Sequence, residues 1–327
     1  MKRLLQVLLL VGGLISQAVA GNTAPDAGDL SGTITLSGAW ALYPMAVKWA
    51  EEFGKIHPDV QIDIGAGGAG KGMADCLAGA VDLGMISRDI YEAEIERGAW
   101  WVSVTKDAVV PVVNEANPVI GDLLEHGLTR EAAIGLWVTE EVTTWGDVTG
   151  TAADYDVRVY TRSDACGAAK TWAKYLGKSQ EDLAGVGVYG DPGLAEAVQR
   201  DALGIGFNNI NFVYDAKTKL PVAGLRILPL DLDGDGAIGE GEDFYATRDG
   251  VVQAIATGVY PSPPARDLHF ASHGKVKREV VVEFLRWVLT DGQKYVGEAG
   301  YIGLTEEKLA AEIAKLEVPK PSSKEAE

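Results

Sequence analysis

Apolar and polar positions alternate along the chain in short runs, and these runs predict strands and helices that follow one another. Short β-rich runs predict strands at 33–36, 60–64, 81–86, 107–113, 157–160 and 203–207, and the run at 107–113 is continuously apolar. Amphipathic spacing predicts helices at 45–56, 72–80, 166–176 and 277–289. The opening order strand, helix, strand, helix, strand is typical of a wound, mostly parallel sheet flanked by helices. The pattern therefore predicts an α/β protein.

Turn clusters divide the predicted elements into two lobes. The strand at 107–113 runs into a turn cluster at 114–118, where the chain can leave the first lobe. After the strand at 203–207 the chain can return. We expect lobe 1 to comprise residues 31–112 and 213–316, and lobe 2 residues 113–212. A length of 327 residues fits two such lobes.

The two ends of the chain differ from the rest in composition. A basic start, an apolar run that ends before Ser16 and the small residues at 18–20 predict a signal peptide over residues 1–20. The alternative is an N-terminal membrane anchor, but that needs about 20 apolar residues. We therefore expect a periplasmic or secreted protein, cleaved near Ala20. Residues 317–327 predict a disordered tail.

The charge balance limits the possible partners. The chain has 29 Lys and Arg against 47 Asp and Glu, a net charge of −18. Such a surface is not suited to nucleic acid or anionic lipid. The four histidines show no metal-ligand spacing. If the protein binds an anion, local geometry must provide the site.

A glycine-rich loop at 65–72 follows the predicted strand at 60–64. It fits the dinucleotide fingerprint and most of a phosphate-binding P-loop. However, Gly72 stands where a P-loop needs a hydroxyl for Mg²⁺, and an exported protein does not meet cytosolic nucleotides. The feature shared by both motifs is a close backbone approach beside free helix amides, which can bind an anion at Gly67 and Gly68. The alternative is a tight turn without a ligand.

A second loop of this kind precedes the predicted helix at 166–176. Arg162 offers a planar fork for an oxyanion, and Asp164 can cap the helix or accept a proton from a ligand. The amides at Cys166, Gly167 and Ala168 begin the helix. Two such loops on separate lobes predict a clamp around an anion.

Arg88 and the two cysteines allow alternative roles. Arg88 is the cation expected in the first lobe, but it can instead form a surface ion pair with Asp89 or Glu92. Cys76 and Cys166 can form a disulfide in an oxidising compartment if the backbone brings them close. Cys166 can also be a nucleophile at a helix N-terminus, although no motif supplies a histidine base. We therefore expect a binding protein and not an enzyme.

The segment 231–242 has the spacing of an EF-hand calcium loop. Asp occupies positions 1, 3 and 5, Gly position 6, an aliphatic residue position 8 and Glu position 12. The ligands would come from Asp231, Asp233, Asp235, the Ala237 carbonyl and Glu242. A strand-like run precedes the loop, so we expect one structural Ca²⁺ in lobe 1 and not a sensor pair. The alternative is a solvated acidic turn.

Taken together, these motifs resemble the periplasmic phosphate-binding proteins of ABC importers over residues 33–305. The resemblance rests on the loop of Ser37, Gly38 and Ala39 with Tyr43 and Pro44, on Gly67 and Gly68, on Ser87 and Arg88, and on Arg162, Ser163, Asp164 and Gly167. It implies a two-lobe type II periplasmic binding protein with a double-crossover hinge. It also implies a monomer that captures phosphate or a related oxyanion for an ABC permease in the inner membrane. The implied ligand contacts are Ala39, Trp40, Gly67, Gly68, Ser87, Arg88, Arg162, Asp164, Cys166, Gly167 and Ala168.

The sequence departs from the family pattern where the family has hydroxyl groups. Ala39 and Ala66 stand in the two first-lobe loops, and Cys166 and Ala168 replace Ser and Thr in the second-lobe loop. Each missing donor leaves a phosphate oxygen without a partner. We therefore expect weak phosphate binding or a preference for another oxyanion. A receptor or scaffold that keeps the fold without a small ligand is the remaining alternative.

Overall fold

The structure is a computed structural model that describes residues 30–317. The predicted signal peptide, and all of the predicted tail beyond residue 317, lie outside the described residues. The strands are β1 Gly32–Gly38, β2 Val60–Ala66, β3 Leu83–Ile86, β4 Ala99–Asn114, β5 Arg158–Arg162, β6 Val186–Val188, β7 Gly204–Asn209, β8 Leu225–Ile227 and β9 Ala265–His273.

Helices flank these strands. Their bounds are α1 Tyr43–Ile56, α2 Ala69–Leu77, α3 Glu92–Glu96, α4 Ile120–His126, α5 Arg130–Ile134, α6 Trp145–Thr149, α7 Gly167–Tyr175, α8 Gly190–Gln199, α9 Ile210–Val213, α10 Arg248–Thr257, α11 Glu279–Leu289 and α12 Glu306–Leu316. Within residues 30–317, no helix combines the length and the hydrophobicity that a bilayer crossing requires.

The strands form one mixed sheet in the order β2-β1-β3-β9-β4-β7-β5-β6, with β8 beside β4. Parallel pairs lie toward both ends of this order, where β1 pairs with β2 and β3, and β5 with β6 and β7. The central pairs are antiparallel. Strand β4 pairs with β9 through residues 99–108 and with β7 through residues 109–113. This long strand therefore belongs to both lobes.

Two separate hydrophobic cores define the lobes. The first contains Trp49 from α1 and Phe284 from α11, and the second contains Trp172 from α7 and Phe207 from β7. The chain passes from the first to the second core within β4. It returns between Tyr260, which packs in the second core, and Leu268, which packs in the first.

The return crossing corrects the predicted lobe boundary at residue 213. Strand β8 pairs with β4 in the second lobe, with Val112 opposite Ile227. Leu230 and Tyr245 are buried in the second core. Residues 225–260, including the predicted calcium loop, therefore pack with lobe 2 and not with lobe 1. The sequence after residue 213 does not indicate which strand this segment pairs with. The pairing of β8 with β4 places the segment in lobe 2.

Candidate functional site

The loops that follow β1, β2 and β3 form one backbone platform in the first lobe. Because these strands are parallel, their carboxyl ends lie at the same edge of the sheet. The Gly38 carbonyl accepts hydrogen bonds from the amides of Gly67 at 2.9 Å and Gly68 at 3.0 Å. The Ala39 amide donates to the Met85 carbonyl at 2.8 Å. These predicted contacts are therefore brought together, but the amides of Ala39, Gly67 and Gly68 already have protein acceptors.

The second-lobe loop lies directly against this platform. The Gly70 amide donates to the Ala165 carbonyl at 3.0 Å across the two lobes. A Cβ atom at Gly68 would lie 2.9 Å from the Ala165 carbonyl oxygen and 3.0 Å from Asp164 Oδ2, and Gly68 has a φ of 89°. A Cβ at Gly167 would overlap Ser87. Glycine is thus required at both positions, and the two lobes are closed on each other.

Arg162 is buried at the end of β5 and is bonded to two carboxylates. Its Nε and Nη2 donate to the two oxygens of Asp164, each at 2.8 Å, and its Nη1 donates to Asp191 at 2.7 Å. The guanidinium side chain has no solvent-exposed area. These bonds use three of its five N–H groups. The remaining two can donate to a ligand, but the guanidinium charge is already matched by two carboxylates.

Asp191, Asn209 and Gln180 also belong to this network, and sequence reasoning missed them. Asp191 in the first turn of α8 accepts a hydrogen bond from the Asn209 side chain at 2.5 Å. Gln180 donates to the Asp164 carbonyl at 2.7 Å and accepts from the Cys166 amide at 3.3 Å. These residues fix Arg162 and the start of α7. An acidic residue in a first helical turn is too common to have signalled this role.

The N-terminus of α7 does not present a reactive thiol. Cys166 is the N-cap residue, and its Sγ accepts the Ala169 amide at 3.4 Å. Burial raises the pKa of the Cys166 thiol to about 12, which is the opposite of what a nucleophile needs. Ala168 is buried in the second core. Both Cys76 and Cys166 are free and buried, so the disulfide alternative does not describe this structure.

Arg88 does not point to the loops as a free cation. It forms a two-pronged ion pair with Glu94, at 2.6 and 2.9 Å, and its guanidinium lies 4.2 Å from the ring centre of Tyr91. The ion-pair alternative is therefore the correct description, although the partner is Glu94 and not Asp89 or Glu92. Arg88 is also only 8% exposed, so the pair is buried and not on the surface.

Trp40 lies between the lobes. Its ring meets Tyr189 and Phe212 of the second lobe edge-on, with ring centres 6.4 and 6.5 Å apart. Its Nε1 is buried and has no hydrogen-bond partner among residues 30–317. The predicted ligand contact is thus an interlobe contact in this closed arrangement.

The predicted calcium loop brings its three aspartates together, and Glu242 is not part of this close group. Ligand oxygens of Asp231, Asp233 and Asp235 lie within 4.8 Å of one another. Glu242 accepts hydrogen bonds from the amides of Leu232 at 2.6 Å and Gly239 at 3.1 Å. The Ala237 amide donates to Asp235 at 2.9 Å, and its carbonyl is the oxygen expected at position 7.

The comparisons with known proteins agree with this architecture. A family profile described as "PBP superfamily domain" matches residues 23–292. The phosphate-binding protein PstS of Bacillus subtilis is 24% identical over 322 residues, covering 94% of this chain and 96% of that protein. PstS of Staphylococcus haemolyticus is 22% identical over 294 residues, covering 88% of this chain and 86% of that protein.

Solved structures share the fold. A putative phosphate ABC transporter substrate-binding protein with bound phosphate from Clostridium perfringens has a TM-score of 0.68 at 21% identity, covering 84% of this chain and all of that one. An ABC-type phosphate transport receptor from Vibrio cholerae has a TM-score of 0.60 at 21% identity, covering 83% of this chain and all of that one. The family consists of solute-binding proteins and not of enzymes. The chain therefore belongs to the PBP superfamily and is a PstS-like periplasmic binding protein with the type II fold.

Proposed function

We propose that this protein is exported, captures phosphate or a related oxyanion between its two lobes, and delivers it to an ABC permease. The observation that carries the proposal is the closed clamp at Gly68, Asp164 and Gly167, where loops from both lobes meet beside the start of α7. The names of the relatives, which are phosphate-binding proteins, support the same solute class.

The chemistry of the clamp favours a protonated oxyanion bound mainly by backbone amides. In the first turn of α7 the Ala169 amide is capped by Cys166 Sγ, whereas the amides of Gly167 and Ala168 lack intrahelical acceptors and lie at the positive end of the helix. The two carboxylates of Asp164 and Asp191 carry more negative charge than the single guanidinium of Arg162 can balance. A fully ionised anion is therefore repelled there. A carboxylate oxygen can instead accept a proton that the ligand donates.

Missing hydroxyl groups lower the expected affinity for phosphate. Cys166 and Ala168 cannot supply the strong hydroxyl donors of the family pattern, and a lost partner costs about 1–3 kcal/mol. We therefore expect weak phosphate binding or a preference for another oxyanion. Cys166→Ser combined with Ala168→Thr should strengthen phosphate binding about tenfold or more. Because Ala168 is buried, the single change Cys166→Ser provides a second test that adds no volume.

Isothermal titration of the purified protein with phosphate, sulfate, arsenate and small carboxylates tests the proposal. Cys76→Ser is the matched control, because Cys76 is a buried cysteine of α2 that contributes no atom to the clamp. A folded protein that binds none of these anions contradicts solute capture and supports the receptor or scaffold alternative. Tight, selective phosphate binding by the wild type keeps the function but contradicts the expected weakness.

Export of the protein and delivery of the solute are each tested by a separate experiment. Mass spectrometry of protein recovered outside the cytoplasm should give a chain that begins near Gly21. A chain that keeps residues 1–20 would contradict cleavage. Solute uptake that needs both this protein and a permease expressed with it tests delivery.

We also propose that the loop at 231–242 binds one structural Ca²⁺, with Asp231, Asp233, Asp235, Glu242 and the Ala237 carbonyl as ligands. The close approach of three carboxylates supports this. A single loop of this type is expected to have a dissociation constant of about 10⁻⁴ to 10⁻³ M. Binding would stabilise lobe 2, against which the loop packs.

Calorimetric titration with Ca²⁺ tests this second proposal. Glu242→Gln, which changes the bidentate ligand at position 12, should abolish the calcium heat and the calcium-dependent rise in melting temperature. Glu240→Gln is the matched control, because this substitution removes the same charge from a loop position that provides no predicted ligand. No heat with the wild-type protein would support the acidic-turn alternative.

A further inference from the structure

A cavity lies between the lobes, apart from the clamp. It has a volume of about 490 Å³. The segment after β3, Lys106 of β4 and Lys308 of α12 line it from lobe 1, and α7 with the residues after it lines it from lobe 2. The return crossing and the start of β9 also contribute, at residues 262–269. Gly68, Asp164 and Gly167 of the clamp do not line it. The cavity therefore has its own set of side chains.

This cavity is cationic in a chain of net charge −18. Seven Lys and Arg side chains line it, together with only two carboxylates, Asp89 and Asp267. Five of the seven cations form ion pairs, for example Lys174 with Asp89 at 2.5 Å. Lys106 and Lys178 have no carboxylate partner within residues 30–317. Their two charges are left for an anion.

Arg266 is one of the buried residues of this lining. It is only 8% exposed, and its Nη2 donates to the side chain of Asn209. Its Nε and Nη1 are buried and have no partner in the described part of the chain. Buried guanidinium N–H groups are normally bonded, so these two donors call for an acceptor.

Asp107, the carboxylate opposite Arg266, does not satisfy these donors. The two side chains approach to 3.3 Å between Arg266 Nη2 and Asp107 Oδ1, and neither Asp107 oxygen has a hydrogen bond. Burial raises the pKa of Asp107 to about 7. Near neutral pH this carboxyl is therefore only partly ionised and only partly neutralises the charge of Arg266. Arg266 therefore adds to the positive charge that faces the cavity.

We propose that this interlobe cavity binds a small molecule with two or more oxyanion groups, of the condensed-phosphate class, through Arg266, Lys106 and Lys178. The volume lies in the range of small-molecule pockets, about 300–1,000 Å³, and exceeds what one tetrahedral anion fills. Two unpaired lysines and a buried arginine match a ligand with separated negative groups. The site is additional to the clamp and does not depend on the proposed capture of a single oxyanion.

Isothermal titration with pyrophosphate tests the cavity. The double variant Lys106→Met and Lys178→Met should bind pyrophosphate at least about tenfold more weakly than the wild type. Methionine keeps most of the apolar stem and removes the charge. Lys217→Met is the matched control and should bind like the wild type, because Lys217 is exposed and lines neither the cavity nor the clamp. Lys178 is exposed, so Lys178→Met alone remains informative if the double variant does not fold.

The outcomes separate this proposal from the proposed function. Unchanged pyrophosphate binding in the lysine variants, or no binding by the wild type at millimolar concentration, overturns the cavity proposal. Titration with citrate distinguishes a tricarboxylate from a condensed phosphate. If citrate binds and pyrophosphate does not bind, the assigned ligand class is wrong. Loss of orthophosphate binding with pyrophosphate binding intact contradicts only the clamp. Orthophosphate binding should be unchanged in Lys178→Met.

Discussion

Gly167 shows how a single missing side chain sets the distance between the lobes. Its backbone lies against Ser87 of the other lobe, so close that a Cβ atom has no room. The interlobe contact depends on this position more than on any charged pair nearby, because backbone atoms cannot move aside as flexible side chains can. A change here acts on closure and leaves both cores intact.

Gly167→Ala should therefore weaken orthophosphate binding at least about tenfold, since the lobes cannot reach the observed contact. Stability should change by less than about 1 kcal/mol, because alanine favours the helix at this position. Titration calorimetry and thermal unfolding measure both effects. Gly121→Ala is the matched control in the first turn of α4, where a Cβ has open space. Equal affinities in the two variants would contradict this account.

His269 makes stability depend on pH. It is buried in β9, with Nδ1 3.1 Å from the Ser103 hydroxyl, and burial lowers its pKa to about 4 from an ordinary 6.5. The unfolded chain takes up a proton near pH 6.5, whereas the folded protein resists protonation until about pH 4. The resulting stability is complete above pH 6.5 and is lost as the pH falls toward 4.

His269→Gln should remove this dependence. Between pH 6.5 and 4.5 the wild type should lose more stability than the variant, by up to about 1.4 kcal/mol per pH unit. Urea unfolding at several pH values measures the difference, and carboxylates common to both proteins cancel. Parallel losses in the two proteins would show that His269 is not buried in its neutral form.

At the scale of elements, the start of α7 depends on an unusual cap. A cysteine thiol is a weak acceptor, yet Cys166 Sγ is the side-chain partner of the Ala169 amide. Replacing the thiol by a hydroxyl, as in Cys166→Ser, keeps a cap, whereas replacing it by a hydrogen atom, as in Cys166→Ala, removes it.

Cys166→Ala should consequently lower the free energy of unfolding by about 0.5–2 kcal/mol relative to Cys166→Ser. Chemical denaturation of the two variants measures this difference without reference to any ligand. If the two variants are equally stable, the sulfur does not cap the helix.

The sequence predicted the elements around the clamp better than the elements between the lobes. Strands β1, β2 and β3 and the glycine loop after β2 show clear periodicity and turn signals, and the structure has them within a few residues. The first half of β4 and all of β9 were missed. These strands are buried on both faces in an antiparallel centre, so the polar alternation of a half-buried strand is absent.

The hydrogen-bond partners of the site residues also could not be predicted from the sequence. Arg162 and Asp164 are neighbours in the chain and were predicted to act in one loop. Asp191 reaches Arg162, and Asn209 reaches Asp191, only because β5, β7 and α8 pack together. Likewise, no spacing rule pairs Arg88 with Glu94. Long-range packing decides which charges remain free for a ligand.

At the scale of the whole molecule, two chain crossings connect the lobes, and side-chain pairs also span the cleft. The exposed ion pair of Asp89 and Lys174 is one of these pairs, at 2.5 Å. Because both groups are exposed, the pair contributes only about 0.2–1 kcal/mol. Reversal of one charge would turn this attraction into repulsion between the lobes.

Lys174→Glu should therefore weaken orthophosphate binding by up to about fivefold and favour an open arrangement. The double change Asp89→Lys with Lys174→Glu restores opposite charges and should restore the affinity. Calorimetry gives the affinities and small-angle X-ray scattering gives the radius of gyration. A swap variant as weak as the single variant would mean that the pair does not stabilise closure.

Trp40 gives the closed arrangement an optical signature. Its indole is attached to lobe 1, but Tyr189 and Phe212 of lobe 2 cover it. When the lobes separate, water replaces these rings, and the fluorescence emission of this indole moves to longer wavelength. The difference between the spectra of the wild type and Trp40→Phe isolates this residue from the other seven tryptophans of the chain. The protein therefore contains an intrinsic fluorophore that reports, without a label, how far its cleft is open.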